Sequence, residues 1–263
     1  MDLGLRDKVV LVVGASAGIG AATARLLHAE GARLVLVARR ESVLNELAAS
    51  LAGGGDSVLA IPADASVPGA LDEVVRQAVR KHGTVHHLVV IAAPMGARTT
   101  FEAVSDSDWE FYFRSGLMIA VQACRAAFPE MLKHGSSAAV LTAAYSIHAH
   151  KPQLIAYTTL KSAVAALSKN LAKTYGPQGL RVNCVVPGVI EKTAAERRTL
   201  SERYGVPESR ARYEFVRREF NMQVALERAG RHEEFADVIT YLLSDRASYV
   251  TGSLVNVDGG TDF

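Results

Sequence analysis

The sequence predicts one α/β domain over residues 1–263, a doubly wound parallel sheet of about seven strands with helices on both faces. Three observations predict it. The strand-like runs, Val9 to Val13 and Arg33 to Ala38 among them, are apolar throughout and do not alternate inside with outside. Segments of helical periodicity long enough to cross a sheet separate them. A glycine-spaced turn joins the first strand to the first helix. Strands buried on both faces belong to a parallel sheet, because each parallel neighbour needs a crossover and each face needs a cover. Ligands of such sheets gather beyond the carboxyl ends of the strands, where strand order reverses.

The first unit, KVVLVVGASAGIGAATARLL from Lys8 to Leu27, reads as strand, tight turn and helix. Gly14, Gly18 and Gly20 lack a Cβ, so backbone there takes positive φ and lets a ligand approach. The helix points unpaired N–H groups and its positive dipole end at the same spot, which suits a pyrophosphate. Dinucleotide binding in a Rossmann-type sheet is the expectation; an ordinary glycine turn is the alternative, since the spacing is G-x-x-x-G-x-G and not G-x-G-x-x-G. Arg33 to Ala38 is the second strand, followed by Arg39, Arg40 and a helix from Glu41 to Leu51 that Gly53-Gly54-Gly55 ends. Ser57 to Pro62 is a third strand with Asp64 after it, Pro68 to His82 is helical, and His87 to Ala92 is a fourth strand. The stretch from Asp106 to His134 is helical despite Gly116, and Ala138 to Thr142 is a fifth strand. Tyr157 to Tyr175 forms a helix stopped by Gly176-Pro177. Arg181 to Val186 is a sixth strand running into Pro187-Gly188, Glu233 to Ser244 is helical, and Leu254 to Val257 is the last strand. The polar stretch 189–222 interleaves arginines with glutamates. A helical excursion with a solvated, ion-paired face is favoured there over an anion-binding patch, and its place beside the cleft makes it a substrate lid.

The 29 basic residues nearly balance the 27 acidic ones, so the charge points to neither nucleic acid nor an anionic membrane surface. The eight histidines are scattered and no metal site is expected. Cys124 and Cys184 sit in apolar segments and read as buried thiols, which fits a reducing cytoplasm. No apolar run approaches the roughly 18 residues of a membrane span. The expectation is a soluble cytoplasmic protein.

Tyr157 and Lys161 are four apart at the start of a helix and share a face. A nearby ammonium favours the phenolate and is expected to lower the tyrosine pKa from its reference of about 10, suiting the pair to proton transfer near neutral pH.

At these residues the sequence resembles the short-chain dehydrogenase/reductase family over nearly its whole length. The matching pieces are GASAGIG at 14–20, Asp64, Trp109, YTTLK at 157–161, RVNCVVPG at 181–188 and DRASYVTGSLVNVDGG at 245–260. The resemblance implies an oxidoreductase interconverting a carbonyl and an alcohol on a small organic or acyl substrate. It assigns the cofactor pyrophosphate to Gly14, Gly18 and Gly20, with Ser16 and Ile19 in the same turn, the adenine to Asp64, and a cofactor contact to Ala92. It makes Tyr157 the proton donor, gives the nicotinamide ribose to Lys161, sets Pro187 and Gly188 against the nicotinamide, and implies a homotetramer or dimer. NAD users usually carry an acid at the end of the second strand for the ribose 2′-OH; here Ala38 and Arg39 stand there. A guanidinium fork suits a 2′-phosphate, so NADP is preferred over NAD; Arg39 and Arg40 as merely solvated residues opening a helix are the alternative.

Departures from the family pattern leave the function open among three readings. Ala144 stands where the family has its catalytic serine, Gly116 where it has the asparagine of a proton relay, and Val90-Ile91-Ala92-Ala93 where it has Asn-Asn-Ala-Gly. The threonine expected after the Pro-Gly falls on Lys192, with Thr193 one place late. Tyr145 or Ser146 could supply the missing hydroxyl, although ordinary loop roles are favoured for both, and for His148 and His150 solvent exposure is favoured over catalysis. The first reading is an NADPH-dependent reductase with a modified site. A non-catalytic dinucleotide-binding protein and a Tyr/Lys acid–base enzyme of non-redox chemistry are the others.

Overall fold

The computed structural model describes residues 2–52, 55–91 and 100–261 and contains one seven-stranded sheet. In chain order the strands are β1 (Val9–Val13), β2 (Arg33–Ala38), β3 (Val58–Pro62), β4 (His87–Val90), β5 (Ser137–Thr142), β6 (Leu180–Pro187) and β7 (Leu254–Val257). All neighbours are parallel and the spatial order is β3-β2-β1-β4-β5-β6-β7. Strand order therefore reverses between β1 and β4, and the carboxyl ends there open the cleft that doubly wound sheets use for ligands.

Each face of the sheet has its own core. Val10, Val12, Leu34 and Leu36 pack under α1 (Gly18–Ala29), α2 (Glu41–Ala52) and, through Phe235 and Ile239, α9 (His232–Leu243). Val9, Leu11, Val13 and Leu88 face the opposite way, toward α3 (Ala70–His82), α5 (Ile119–Met131) and α6 (Ile155–Tyr175). This explains the missing alternation: odd and even residues of β1 are equally buried because each faces a helical layer.

Several boundaries differ from the sequence reading for identifiable reasons. The third helix begins at Ala70 because Gly69 caps it with φ +79°. The α6 helix begins at Ile155, preceded by a 3₁₀ turn from Pro152 to Leu154, which sets Tyr157 in the first helical turn. The long helical stretch is three pieces in line: α4 (Asp106–Tyr112), a π-helical segment (Phe113–Met118) and α5. Gly116 lies in the π segment, where a Cβ would only touch the Leu160 Cβ at 3.5 Å, so no steric conflict demands glycine there. Cys124 and Cys184 are buried free thiols. Among the described residues, no helix is long and apolar enough to cross a membrane.

Candidate active site

The glycine turn is built as a cradle for an anion. Gly14 (φ +95°) and Gly18 (φ +56°) take backbone conformations that side chains resist, and a Cβ on Gly20 would overlap the Gly14 carbonyl oxygen. Gly14 N and Ala15 N both donate to Val37 O, at 2.8 and 3.1 Å, fixing the turn to β2. No side chain caps α1 at Ala17 and no acid lies in its first turn, so its leading N–H groups and dipole stay available for a phosphate. Ile19 is buried and lines the cavity beside the turn. Arg39 and Arg40 are exposed at the end of β2, and the Arg40 guanidinium reaches Ser16 Oγ at 3.4 Å. Asp64 accepts from Ser66 N and Oγ at 2.9 and 2.7 Å, which holds its carboxyl below the usual range. Ala92 lies outside the described residues.

The turn opens onto a cavity of about 450 Å³, whose lining also holds Ala144, Tyr145, Tyr157, Lys161, Pro187 and Gly188. Gly188 is wedged under the end of β7: its N donates to Val257 O at 3.0 Å, and a Cβ would stand 2.5 Å from the Asp258 Cα. Tyr157 packs edge-on to Tyr112, with ring centroids 6.3 Å apart, in a small cluster that includes Trp109 and Leu160.

The expected coupling of Lys161 to Tyr157 is corrected here. Both residues lie on one face of α6, yet Lys161 Nζ, 6.0 Å from the Tyr157 ring centroid, donates to Thr142 O at 2.8 Å. Burial, reinforced by the neighbouring phenols of Tyr145 and Tyr112, pushes the Tyr157 hydroxyl above its usual range and keeps it protonated. Burial pulls Lys161, only 3% exposed, down to about 8. Desolvation outweighs the through-space attraction that helical spacing suggests.

Ala143 and Ala144 are buried and offer no side-chain donor. The next two residues part company: Tyr145 lines the cavity, whereas Ser146 is fully buried and is not among the lining residues. His148 is exposed and contacts Asn256 Oδ1 at 3.2 Å, and His150 is also exposed; neither lines the cavity.

Two helices, α7 (Ala194–Tyr204) and α8 (Glu208–Phe220), contribute Glu196, Arg212, Val216 and Phe220 to the cavity lining. Thr193 caps α7 in a reciprocal box with Glu196. Most of the arginine–glutamate pattern is a solvated ion-pair network, as in Arg203–Glu219 at 3.1 Å and Arg210–Glu227 at 2.6 Å. Arg212 lines the cavity, its guanidinium 4.8 Å from the Phe215 ring. His232, at the start of α9, also lines the cavity and carried no sequence signal, since its partner Glu191 is distant in the chain.

A family model described as Enoyl-(Acyl carrier protein) reductase matches residues 14–262. The chain is 30% identical over 257 residues to "Dehydrogenase/reductase SDR family member 4" of Sus scrofa, covering 98% of this chain and 88% of that one. It is 32% identical over 260 residues to protein FixR of Bradyrhizobium diazoefficiens, with coverage of 96% and 86%. L-sorbose reductase from Gluconobacter frateurii, crystallised with NADPH and L-sorbose, superposes with a TM-score of 0.88 at 32% identity over 99% of this chain and 98% of that one. An NADPH-bound short chain oxidoreductase from Pseudomonas aeruginosa PAO1, described as containing an atypical catalytic center, gives a TM-score of 0.86 at 26% identity, covering 97% and 98%.

Proposed function

The chain belongs to the short-chain dehydrogenase/reductase family, and on that premise we propose that it is an NADP(H)-dependent oxidoreductase interconverting a carbonyl and an alcohol through an atypical active site. The observation that carries this reading is the convergence of the uncapped glycine turn, Pro187-Gly188 and the Tyr157/Lys161 pair on one cavity. The cradle fits a dinucleotide: a Cβ on Gly20 would collide with the turn, Gly14 and Gly18 take positive φ, its helix offers N–H groups that no side chain caps, and its β2 edge ends in two arginines. Gly14, Ser16, Gly18, Ile19 and Gly20 would hold the diphosphate. Arg39 and Arg40 would take the 2′-phosphate, Arg40 also reaching Ser16 Oγ at 3.4 Å, and the adenosine half is assigned to Asp64 and Ala92.

When bound, the nicotinamide supplies or accepts the hydride. Tyr157 hands its hydroxyl proton to the carbonyl oxygen during reduction, and burial keeps that proton in place until the substrate oxygen gains charge. Lys161, buried on the same face of α6 and held by Thr142 O, would hold the nicotinamide ribose. With Ala144 unable to donate, Tyr145 takes the part of the family serine and holds the substrate oxygen by its phenolic hydroxyl. The α7–α8 pair acts as a lid that excludes water from the cavity.

The test follows NADPH oxidation by absorbance across ketones, diketones, quinones and β-ketoacyl thioesters, with Tyr157→Phe alongside. Turnover that disappears in Tyr157→Phe while NADPH affinity persists is the expected outcome. Unchanged turnover in that variant refutes the proton-donor role. NADPH binding with no turnover on any substrate favours a non-catalytic binding protein.

A further inference from the structure

His232 sits against the glycine turn with one ring nitrogen committed and the other facing the cradle. Its Nδ1 lies 3.4 Å from Glu191 Oε1, and its Nε2 lies 3.4 Å from the point that a Cβ on Gly18 would occupy. The backbone fixes this arrangement. Residues 189–191 pair with Gly230 through Gly230 N donating to Val189 O at 2.8 Å and Glu191 N donating to Gly230 O at 3.0 Å, an isolated parallel bridge outside the main sheet. Glu191 is therefore held beside the first residue of α9. Its other oxygen, Oε2, contacts the Arg197 guanidinium at 3.4 Å, which anchors the carboxylate from the α7 side. Nearby Glu234 is already engaged, by Arg228 at 2.6 Å and by Arg231 N at 2.7 Å.

We propose that His232 is a diphosphate ligand of the dinucleotide and Glu191 the positioning residue behind it. The proposal rests on the NADP(H) reading above. With Nδ1 turned to the Glu191 carboxylate and Nε2 to the cradle, the ring can donate an Nε2–H to a phosphate oxygen. It stands at Gly18, the first residue of α1, so that a bound diphosphate would meet both the backbone N–H groups of the turn and the imidazole ring. The Gly18 position, where φ is +56° and no Cβ intervenes, leaves room for this approach. The ligand class follows from the geometry: NADPH and NADH share the diphosphate, while adenosine 2′-monophosphate lacks it.

The experiment titrates wild type, His232→Phe, His232→Gln, Glu191→Gln and Arg39→Ala with NADPH, NADH and adenosine 2′-monophosphate, by nucleotide fluorescence or calorimetry, with circular dichroism as a check on folding. His232→Phe should weaken NADPH and NADH by a similar factor, about ten- to hundredfold, the size of one hydrogen bond to a charged group. It should leave adenosine 2′-monophosphate unchanged. Glu191→Gln should weaken both dinucleotides less, and combined with His232→Phe should add nothing further. Arg39→Ala should give the opposite selectivity, weakening NADPH and the monophosphate but not NADH. Unchanged dinucleotide affinity in folded His232→Phe and His232→Gln overturns the proposal, as does equal loss for the monophosphate or tighter dinucleotide binding. Failure of wild type to bind either dinucleotide overturns the cofactor reading itself, and the ligand role of His232 with it.

Discussion

At the scale of single residues, the proposed chemistry turns on which hydroxyl reaches the cavity. Ala144 provides none, Ser146 is sealed within the fold, and Tyr145 faces the cavity that holds Tyr157. Losing one preorganised donor to a developing oxyanion costs on the order of 10²–10³ in rate. Tyr145→Phe should therefore lower kcat by about that factor with little change in NADPH affinity, and Ala144→Ser should restore much of the loss in the double variant. Steady-state kinetics on the best substrate checks this; a Tyr145→Phe enzyme of wild-type rate removes Tyr145 from the mechanism.

At the scale of elements, the α7 cap matters most because it sits at the mouth of the cavity. Thr193 Oγ1 accepts from Glu196 N at 3.3 Å and Glu196 accepts back from Thr193 N at 3.2 Å. The helix beyond it is polar all round and buries none of its residues, so little but the cap and its ion pairs holds its first turn. Thr193→Ala should cost about 1 kcal/mol of local helix stability. Hydrogen exchange in residues 194–204 should speed up while the sheet amides stay protected, and KM should rise more than kcat falls. Faster exchange in the sheet as well would mean that α7 is not an independent unit. The π segment between α4 and α5 is the other irregular element; it puts an extra residue into the long helix, and Leu117 within it and Tyr112 just before it pack in the cluster that carries Tyr157.

At the scale of the whole molecule, two histidines stitch the middle of the sheet. His86 Nδ1 accepts from Val9 N at 2.9 Å and His87 Nδ1 from Ala138 N at 3.0 Å, so both rings must be neutral at that nitrogen. Burial lowers His87 to about 3, and burial with the adjacent His134 lowers His86 to about 4. Both folded values lie below the ordinary histidine value of about 6.5. The unfolded chain thus binds more protons, and the stability is complete above about pH 6.5 and is lost as pH falls toward the folded values. Buried His87 contributes a slope of up to about 1.4 kcal/mol per pH unit in that window, and half-exposed His86 contributes less because solvent screens it. Urea unfolding between pH 8 and 5 should show the decline, and His86→Gln, which keeps an acceptor but does not titrate, should flatten it. A pH-independent midpoint in wild type would contradict the assignment.

The sequence by itself determined the doubly wound sheet, the glycine turn ahead of α1, the arginines closing β2 and the shared face of Tyr157 and Lys161. Each of these is set by spacing within one element or by the composition of one strand, and local periodicity encodes both. Only the tertiary structure decided that Lys161 turns to Thr142 rather than toward the phenol, that burial raises Tyr157, that Tyr145 and not Ser146 reaches the cavity, and that His232 meets Glu191 over Gly18. Those features depend on desolvation and on contacts between residues far apart in the chain. No i, i+4 pattern carries them, because they exist only once β5, β6 and α9 have been brought to the same end of the sheet.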